Sequence, residues 1–215
     1  MYDLHTHTTL SDGDLCPAEL AQRCMVQGYR GLVITDHCDH ALVPVIVPRL
    51  AEFCKAVRGH YKDLRVLPGC ELTHVPPELI AELAARAREL GAMVVLVHGE
   101  TIVEPVREGT NRAAIEAGVD VVAHPGLISP EDVALAAARG VRLELSGRQG
   151  HCYANGHVAR LALEHGARLS FGSDGHTPGD YPTRSRAIQI LAGAGLSVAQ
   201  AEKVLAENAR LFDRV

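Results

Sequence analysis

The sequence predicts an α/β fold, an irregular barrel of seven parallel strands with helices packed around it. Short apolar runs rich in β-branched residues alternate with amphipathic stretches rich in Ala, Leu, Glu and Arg, the pattern of repeated strand–helix units around a parallel sheet. Glycines stand between the helical stretches and the strands that follow, where a left-handed residue ends a helix. The first strand is followed by Thr9-Leu10-Ser11-Asp12-Gly13, without the GxGxxG loop that an open doubly wound sheet normally carries there.

In chain order the strands are expected at Tyr2–Thr8, Gly31–Asp36, Arg65–Cys70, Ala92–His98, Val119–His124, Val141–Leu145 and Arg168–Ser173. The helices between them are expected at Pro17–Gln27, Pro48–Arg58, Pro77–Leu90, Thr110–Ala117, Pro130–Ala138 and Ala154–His165, with two more at Arg184–Gly193 and Ser197–Asn208. Pro130 after Ser129, and Ser197 before its apolar run, are start signals. Gly28, Gly91, Gly118, Gly140 and Gly166 are the stop signals. Repeats, low-complexity tracts and linkers are not evident, so residues 1–215 are expected to form one domain.

Composition narrows the class. Hydrophobic residues make up 47% of the 215, aromatics only 4%, and Trp is absent, so the core must be aliphatic. The formal charge is −5 and no basic stripe is present, which disfavours a nucleic-acid surface. There is no export signal and no apolar run of membrane-spanning length. The six cysteines are scattered without a CxxC pair. Together these features predict a cytoplasmic protein with reduced thiols and no membrane partner. No signal for an oligomeric state stands out.

Chemistry is concentrated at the strand ends. Strand one ends His5-Thr6-His7, strand two Asp36-His37, strand three Cys70-Glu71 and strand four His98; strand five ends at His124 and strand seven runs into Asp174-Gly175-His176. In a (β/α) barrel the C-terminal strand ends share one mouth. Residues two apart on extended backbone point the same way, which pairs His5 with His7 and Asp174 with His176. Burying so many titratable groups without a cation would cost more than a domain of this size can spare. Imidazole with carboxylate suits zinc, manganese or iron better than calcium. His5, His7, Asp12, His37, Glu71, His98, His124, Asp174 and His176 are nine ligand-type residues, too many for one ion and suited to two or three divalent transition metals. His60, His151, His157 and His165, on helices or away from strand ends, read as solvated or structural; His40 and His74 lie near the mouth without a clear role.

These blocks, Asp3-Leu4-His5-Thr6-His7 through Ser11-Asp12-Gly13, Ile34-Thr35-Asp36-His37, Gly69-Cys70-Glu71, His98, Ala123-His124-Pro125 and Ser173-Asp174-Gly175-His176, together resemble the polymerase-and-histidinol-phosphatase (PHP) superfamily. The resemblance implies a distorted seven-stranded (β/α)7, TIM-like barrel with a trinuclear site. It assigns His5, His7, Glu71 and Asp174 to a first ion. Glu71 would bridge to a second, completed by His98 and His124, and Asp12, His37 and His176 would hold the third. Some members carry His where this chain has Asp12.

The function expected is a metal-dependent phosphatase of a small phosphorylated substrate, for which L-histidinol phosphate, and so histidine biosynthesis, is the leading reading. Bound ions would lower the pKa of water toward about 7 and neutralise phosphoryl charge. Glu71 and Asp36 are the candidate catalytic carboxylates; protonation of the leaving group falls to Asp36 or to a metal-bound water, between which the sequence does not decide. Arg148, beyond the one strand without a ligand, is the leading phosphate clamp, with Arg184 and Arg186 behind it. Glu100 and Glu104 are candidate partners of the substrate ammonium. The alternatives are a nucleotide phosphodiesterase or 3'-5' exonuclease, which net charge and the shortage of stacking aromatics disfavour, and a non-catalytic metal-binding accessory module, which the complete ligand set disfavours.

Overall fold

The computed structural model describes residues 1–213. It is a nearly closed barrel of parallel strands wrapped by helices. The strands are β1 (Tyr2–Asp3), β2 (Gly31–Ile34), β3 (His37–Cys38), β4 (Arg65–Leu72), β5 (Val94–His98), β6 (Val121–Ala123), β7 (Arg142–Ser146) and β8 (Arg168–Gly172). Seven of them line up as β1-β2-β4-β5-β6-β7-β8. The two-residue β3 resumes the direction of β2 after Thr35 and Asp36 and pairs with the upper half of β4, His37 opposite Glu71. The seven expected strands are all present, several shorter than the apolar runs suggested.

The helices are α1 (Pro17–Val26), α2 (Val43–Ala56), α3 (Ile80–Glu89), α4 (Thr110–Glu116), α5 (Pro130–Arg139), α6 (Asn155–His165), α7 (Arg184–Gly193) and α8 (Val198–Phe212). Local signals explain most ends. Ser129 caps α5, accepting from Asp132 N–H, and Gly140 ends it at φ 68°. Ser197 and Gln200 form a reciprocal capping box on α8, and Gly166 ends α6 at φ 73°.

Two helix bounds differ from expectation by four residues or more. Helix α2 starts at Val43, with Pro44 in its first turn and Pro48 inside it. Either proline satisfies the start signal, and burial of Val43, Ile46 and Val47 decides for the earlier one, outweighing the hydrogen bond that Pro48 forfeits. Helix α8 runs four residues past Asn208 because Leu211 and Phe212 are buried.

Those two residues plug the barrel. Leu211 and Phe212 pack with Leu4, Val33, Leu67, Val94 and Leu96 in the interior, and the Tyr2 and Phe212 rings lie 5.1 Å apart. A larger aliphatic layer lies between strands and helices. The barrel is therefore apolar at its N-terminal end and polar at the other. Closure between β8 and β1 is made above the strands, by an isolated bridge of Thr6 with Gly175. There Asp174 N–H donates to the His5 carbonyl (2.9 Å) and His7 N–H to that of Gly175 (3.0 Å). No described helix is long and apolar enough to cross a membrane.

Candidate metal centre

The polar end gathers the strand-end residues into one buried cluster. His5, His7 and Glu71 are wholly buried, and His98, His124 and Asp174 are nearly so. His5 and His7 share a face because they are two apart on extended chain. Glu71 enters on β4. His124 and Asp174 follow β6 and β8 with φ of 27° and 52°, a left-handed backbone that costs a non-glycine residue about 1–3 kcal/mol. Both turns aim their side chains back over the barrel axis.

Ligand atoms crowd around two carboxylates. His5 Nε2 lies 3.4 Å from Glu71 Oε2 and 3.7 Å from Asp174 Oδ1. His7 Nε2 lies 3.3 Å from Asp174 Oδ1 and 3.7 Å from Glu71 Oε2. His124 Nε2 lies 3.4 Å from Glu71 Oε1 and 3.6 Å from Asp174 Oδ2. On the outer side Asp12 Oδ1 is 3.2 Å from His176 Nε2 and 3.6 Å from His37 Nε2. His37 Nδ1 is 2.7 Å from Glu71 Oε2. All nine expected ligands thus come together, with Glu71 touching His5, His7, His37 and His124.

Hydrogen-bond partners set several tautomers. His5 Nδ1 donates to Glu144 Oε1 (2.8 Å), and His98 Nδ1 donates to the Gly99 carbonyl (3.2 Å). His176 Nδ1 lies 3.0 Å from the Asp174 carbonyl. With Nδ1 carrying the proton in His5 and His98, their Nε2 atoms present lone pairs toward carboxylate oxygens. Lone pair facing lone pair in a buried site is repulsive unless a cation lies between them. His5 Nε2, both His7 ring nitrogens, Glu71 Oε1, His124 Nδ1 and Asp174 Oδ2 are buried without a hydrogen-bond partner in the chain. Divalent transition metals satisfy imidazole and carboxylate lone pairs together, so the donor set fits the ions the sequence implied.

The same carboxylates set the proton affinities. Burial alone would raise the pKa of Glu71 and Asp174, but His5 and its neighbours hold both well below the usual carboxylate range. Burial opposes charge on His5, His37 and His124 too, yet Glu71 raises all three, joined by Glu144 and Asp174 at His5 and His124 and by Asp12 at His37. Burial prevails at His7, pushed down to about 3, and at His98, pushed down to about 4. The centre demands positive charge, as protons or as metal.

Other expected site residues divide. Arg148 is at the site: its Nη1 lies 2.6 Å from His176 Nδ1 and donates to the Asp174 carbonyl (3.3 Å). Glu104 is there too, Oε2 3.1 Å from His98 Nε2. Asp36 is a correction. Its Oδ1 accepts from Thr8 N–H (2.8 Å), Ser11 N–H and Ser11 Oγ, and its Oδ2 from Thr8 Oγ1. It anchors the loop after β1, where Thr8 and Ser11 occupy both of its oxygens. Glu100 is a second correction: its carboxylate accepts from Asn111 N–H (2.8 Å) at the start of α4. Arg184 pairs with Glu202 and lies near the chain's first residue, at the opposite end of the barrel. Arg186 bonds Gln189 along the exposed face of α7. Neither arginine reaches the mouth.

Two residues were missed. Glu144 lies on β7, the strand read as ligand-free; besides orienting His5 it accepts from His124 N–H (3.0 Å). Any Cβ at Gly172 would overlap Glu144 Oε1. The signal was present, a carboxylate between Leu143 and Leu145 in an apolar strand. His151, read as structural, is 7% exposed and its ring stacks on His124 at 4.0 Å. No sequence signal marked it. His98, Glu104, His124, Arg148 and His151 line one small cavity of about 50 Å³ with Asp12, His37, Asp174 and His176.

Comparison with known proteins agrees with this architecture. Residues 3–215 match the PHP domain family. An uncharacterised protein, MJ1295 of Methanocaldococcus jannaschii, is 40% identical over 205 residues, 95% of this chain and 94% of that one. The 5'-3' exoribonuclease Rnm of Escherichia coli is 26% identical over 91% of this chain, which spans only 62% of that enzyme. Among solved structures, archaeal ribonuclease P with mature tRNA contains a chain similar at TM-score 0.70 and 18% identity, covering 98% of this chain and 90% of its own. The histidinol phosphate phosphatase HISK of Lactococcus lactis, solved with zinc, L-histidinol and phosphate, is similar at TM-score 0.63 and 14% identity, covering 91% and 94%. At such identities the structural likenesses concern the fold.

Proposed function

The chain belongs to the PHP domain family, whose members are metal-dependent hydrolases, and from that premise we propose that it removes a phosphoryl group from a small phosphate monoester, with L-histidinol phosphate as the first substrate to test. The observation carrying this reading is the cavity itself: about 50 Å³, walled by candidate metal ligands, with Arg148 on its rim. When bound, divalent ions would supply activation of water and neutralisation of phosphoryl charge. His5, His7, Glu71 and Asp174 would hold one ion, Glu71, His98 and His124 a second, and Asp12, His37 and His176 a third.

The chain's own residues do the rest. Glu144 fixes the His5 ring through Nδ1 and the His124 backbone through its N–H. Among the described residues Arg148 is the one guanidinium lining the cavity, and a fork of fixed donors suits phosphoryl oxygens. Its contact with His176 Nδ1 requires that nitrogen unprotonated. Glu100, bound to the start of α4, is not placed to meet a substrate amine.

A second reading, a nucleotide phosphoesterase, is favoured by the similarity to exoribonuclease Rnm. A panel of L-histidinol phosphate, nucleoside monophosphates, short 5'-phosphorylated oligoribonucleotides and bis-nitrophenyl phosphate, assayed with zinc, manganese or iron, separates the two. A preference for histidinol phosphate of about a hundredfold over simple monoesters follows if its ring and amine are each recognised. Faster release of nucleotides from RNA would replace that reading with the second. Arg148→Ala should raise KM for any phosphomonoester at unchanged metal content.

A further inference from the structure

The geometry points to a wider metal centre than the nine strand-end ligands: we infer that His151 and Glu104 are also metal ligands, closing with His98 and His124 an imidazole-rich subsite at the mouth. This rests on the reading of the cluster as a metal centre.

Ring nitrogens of His98, His124 and His151 lie within 4.8 Å of one another, and all three residues are buried. Glu104 bridges the outer side, with Oε2 3.1 Å from His98 Nε2 and Oε1 3.3 Å from His151 Nε2. The two Glu104 spacings are close to the roughly 3.3 Å that separates ligands on bonds about 2.0–2.1 Å long arranged tetrahedrally. His98 makes the strongest case. A backbone carbonyl can only accept, so its bond to Gly99 puts the proton on Nδ1. The His98 Nε2 lone pair then meets the Glu104 carboxylate, which no neutral hydrogen bond accounts for. A cation shared by the two does.

His151 is held for the same task. Its Nδ1 bonds Thr101 Oγ1 (2.9 Å), leaving Nε2 toward Glu104, and its ring covers His124, whose Nδ1 is buried without a partner. Outer-sphere bonds that fix a ligating imidazole in this way are the rule at metal sites. The remaining charged neighbour of Glu104 is His74, half exposed, with Nε2 at 3.6 Å. Three imidazoles and one carboxylate suit zinc or iron(II), whereas Asp12, with its exposed carboxylate, makes the third subsite the harder one.

The test reads metal directly. The full chain is stripped with a chelator and titrated with Zn(II) against a chromophoric competitor, then with Co(II) while the visible ligand-field bands are followed. His151→Gln and Glu104→Gln are compared with the parent and with the exposed-face control His165→Gln. One zinc site should weaken at least tenfold in both variants, with altered cobalt bands, and stay unchanged in the control. Circular dichroism of the metal-free forms reports folding; Glu104, on a loop, provides the second variant should His151→Gln misfold. Parent-like affinities and cobalt spectra in the folded variants would overturn the inference and leave the nine-ligand centre standing. A parent chain that binds no zinc or cobalt would overturn both.

Discussion

Both oxygens of Asp36 accept hydrogen bonds from the loop after β1, and this separates two roles that a strand-end aspartate could have. Asp36→Asn keeps the shape but turns an amide donor toward the donors of Thr8 and Ser11. It should destabilise the fold by about 1–3 kcal/mol, the cost of a buried polar mismatch, and leave the limb positions of the pH–rate profile unmoved; a lost limb would restore Asp36 as proton donor. Glu144 makes the converse case, a buried carboxylate that orients His5 through Nδ1. Glu144→Gln should lower metal affinity about 10–100-fold, as losses of outer-sphere partners do, with little change in the stability of the metal-free chain. Competition titration checks this, and an unchanged affinity would make Glu144 a packing residue.

At the scale of elements, closure depends on α8 as much as on the strands. Asn208 is wholly buried. Its Nδ2 donates to the carbonyls of Phe171 (2.7 Å) and Tyr2 (3.0 Å), and its Oδ1 accepts from Phe171 N–H (3.3 Å). It therefore joins β8 to β1 below the Thr6–Gly175 bridge, where the two strands share no ladder. Asn208→Ala should cost about 2–4 kcal/mol, since several buried backbone groups lose their partner at about 1–3 kcal/mol each. Denaturant unfolding measures it, and a loss below about 1 kcal/mol would show the bridge closes the barrel unaided.

Over the whole molecule, charge at the centre couples metal, protons and folding. His5, His37 and His124 have pKa values raised above 6.5 in the folded chain. Stability from a raised histidine pKa is complete below the unfolded value and is lost as pH rises through the folded one. The metal-free protein should therefore weaken as pH climbs above 6.5. Metal binding has the opposite sign, because ligands must shed protons. Zinc at 100 times its dissociation constant stabilises by about 2.7 kcal/mol, roughly 5–10 °C in Tm for a chain of this size. The gap in Tm between metal-loaded and chelator-treated protein should widen from pH 6 to pH 8. A gap independent of pH would place the ions away from these histidines.

The sequence by itself determined the strand–helix alternation, because periodicity and terminal glycines are local signals, and it determined that nine residues of ligand type gather at one mouth, because parallel strands in a barrel must deliver their C-terminal ends there. Arg148 was legible for the same reason. Only the tertiary structure decided what each carboxylate and cation faces. Asp36 turned into its own loop, Glu100 to the start of α4, and Arg184 and Arg186 to the far end or outer face of the barrel. Glu144 emerged from an apolar strand as the partner of His5, and His151 folded from a short turn over His124. These outcomes hang on contacts between residues up to 139 positions apart, as His5 and Glu144 are, and on a few ångströms of loop path. Spacing along the chain carries neither.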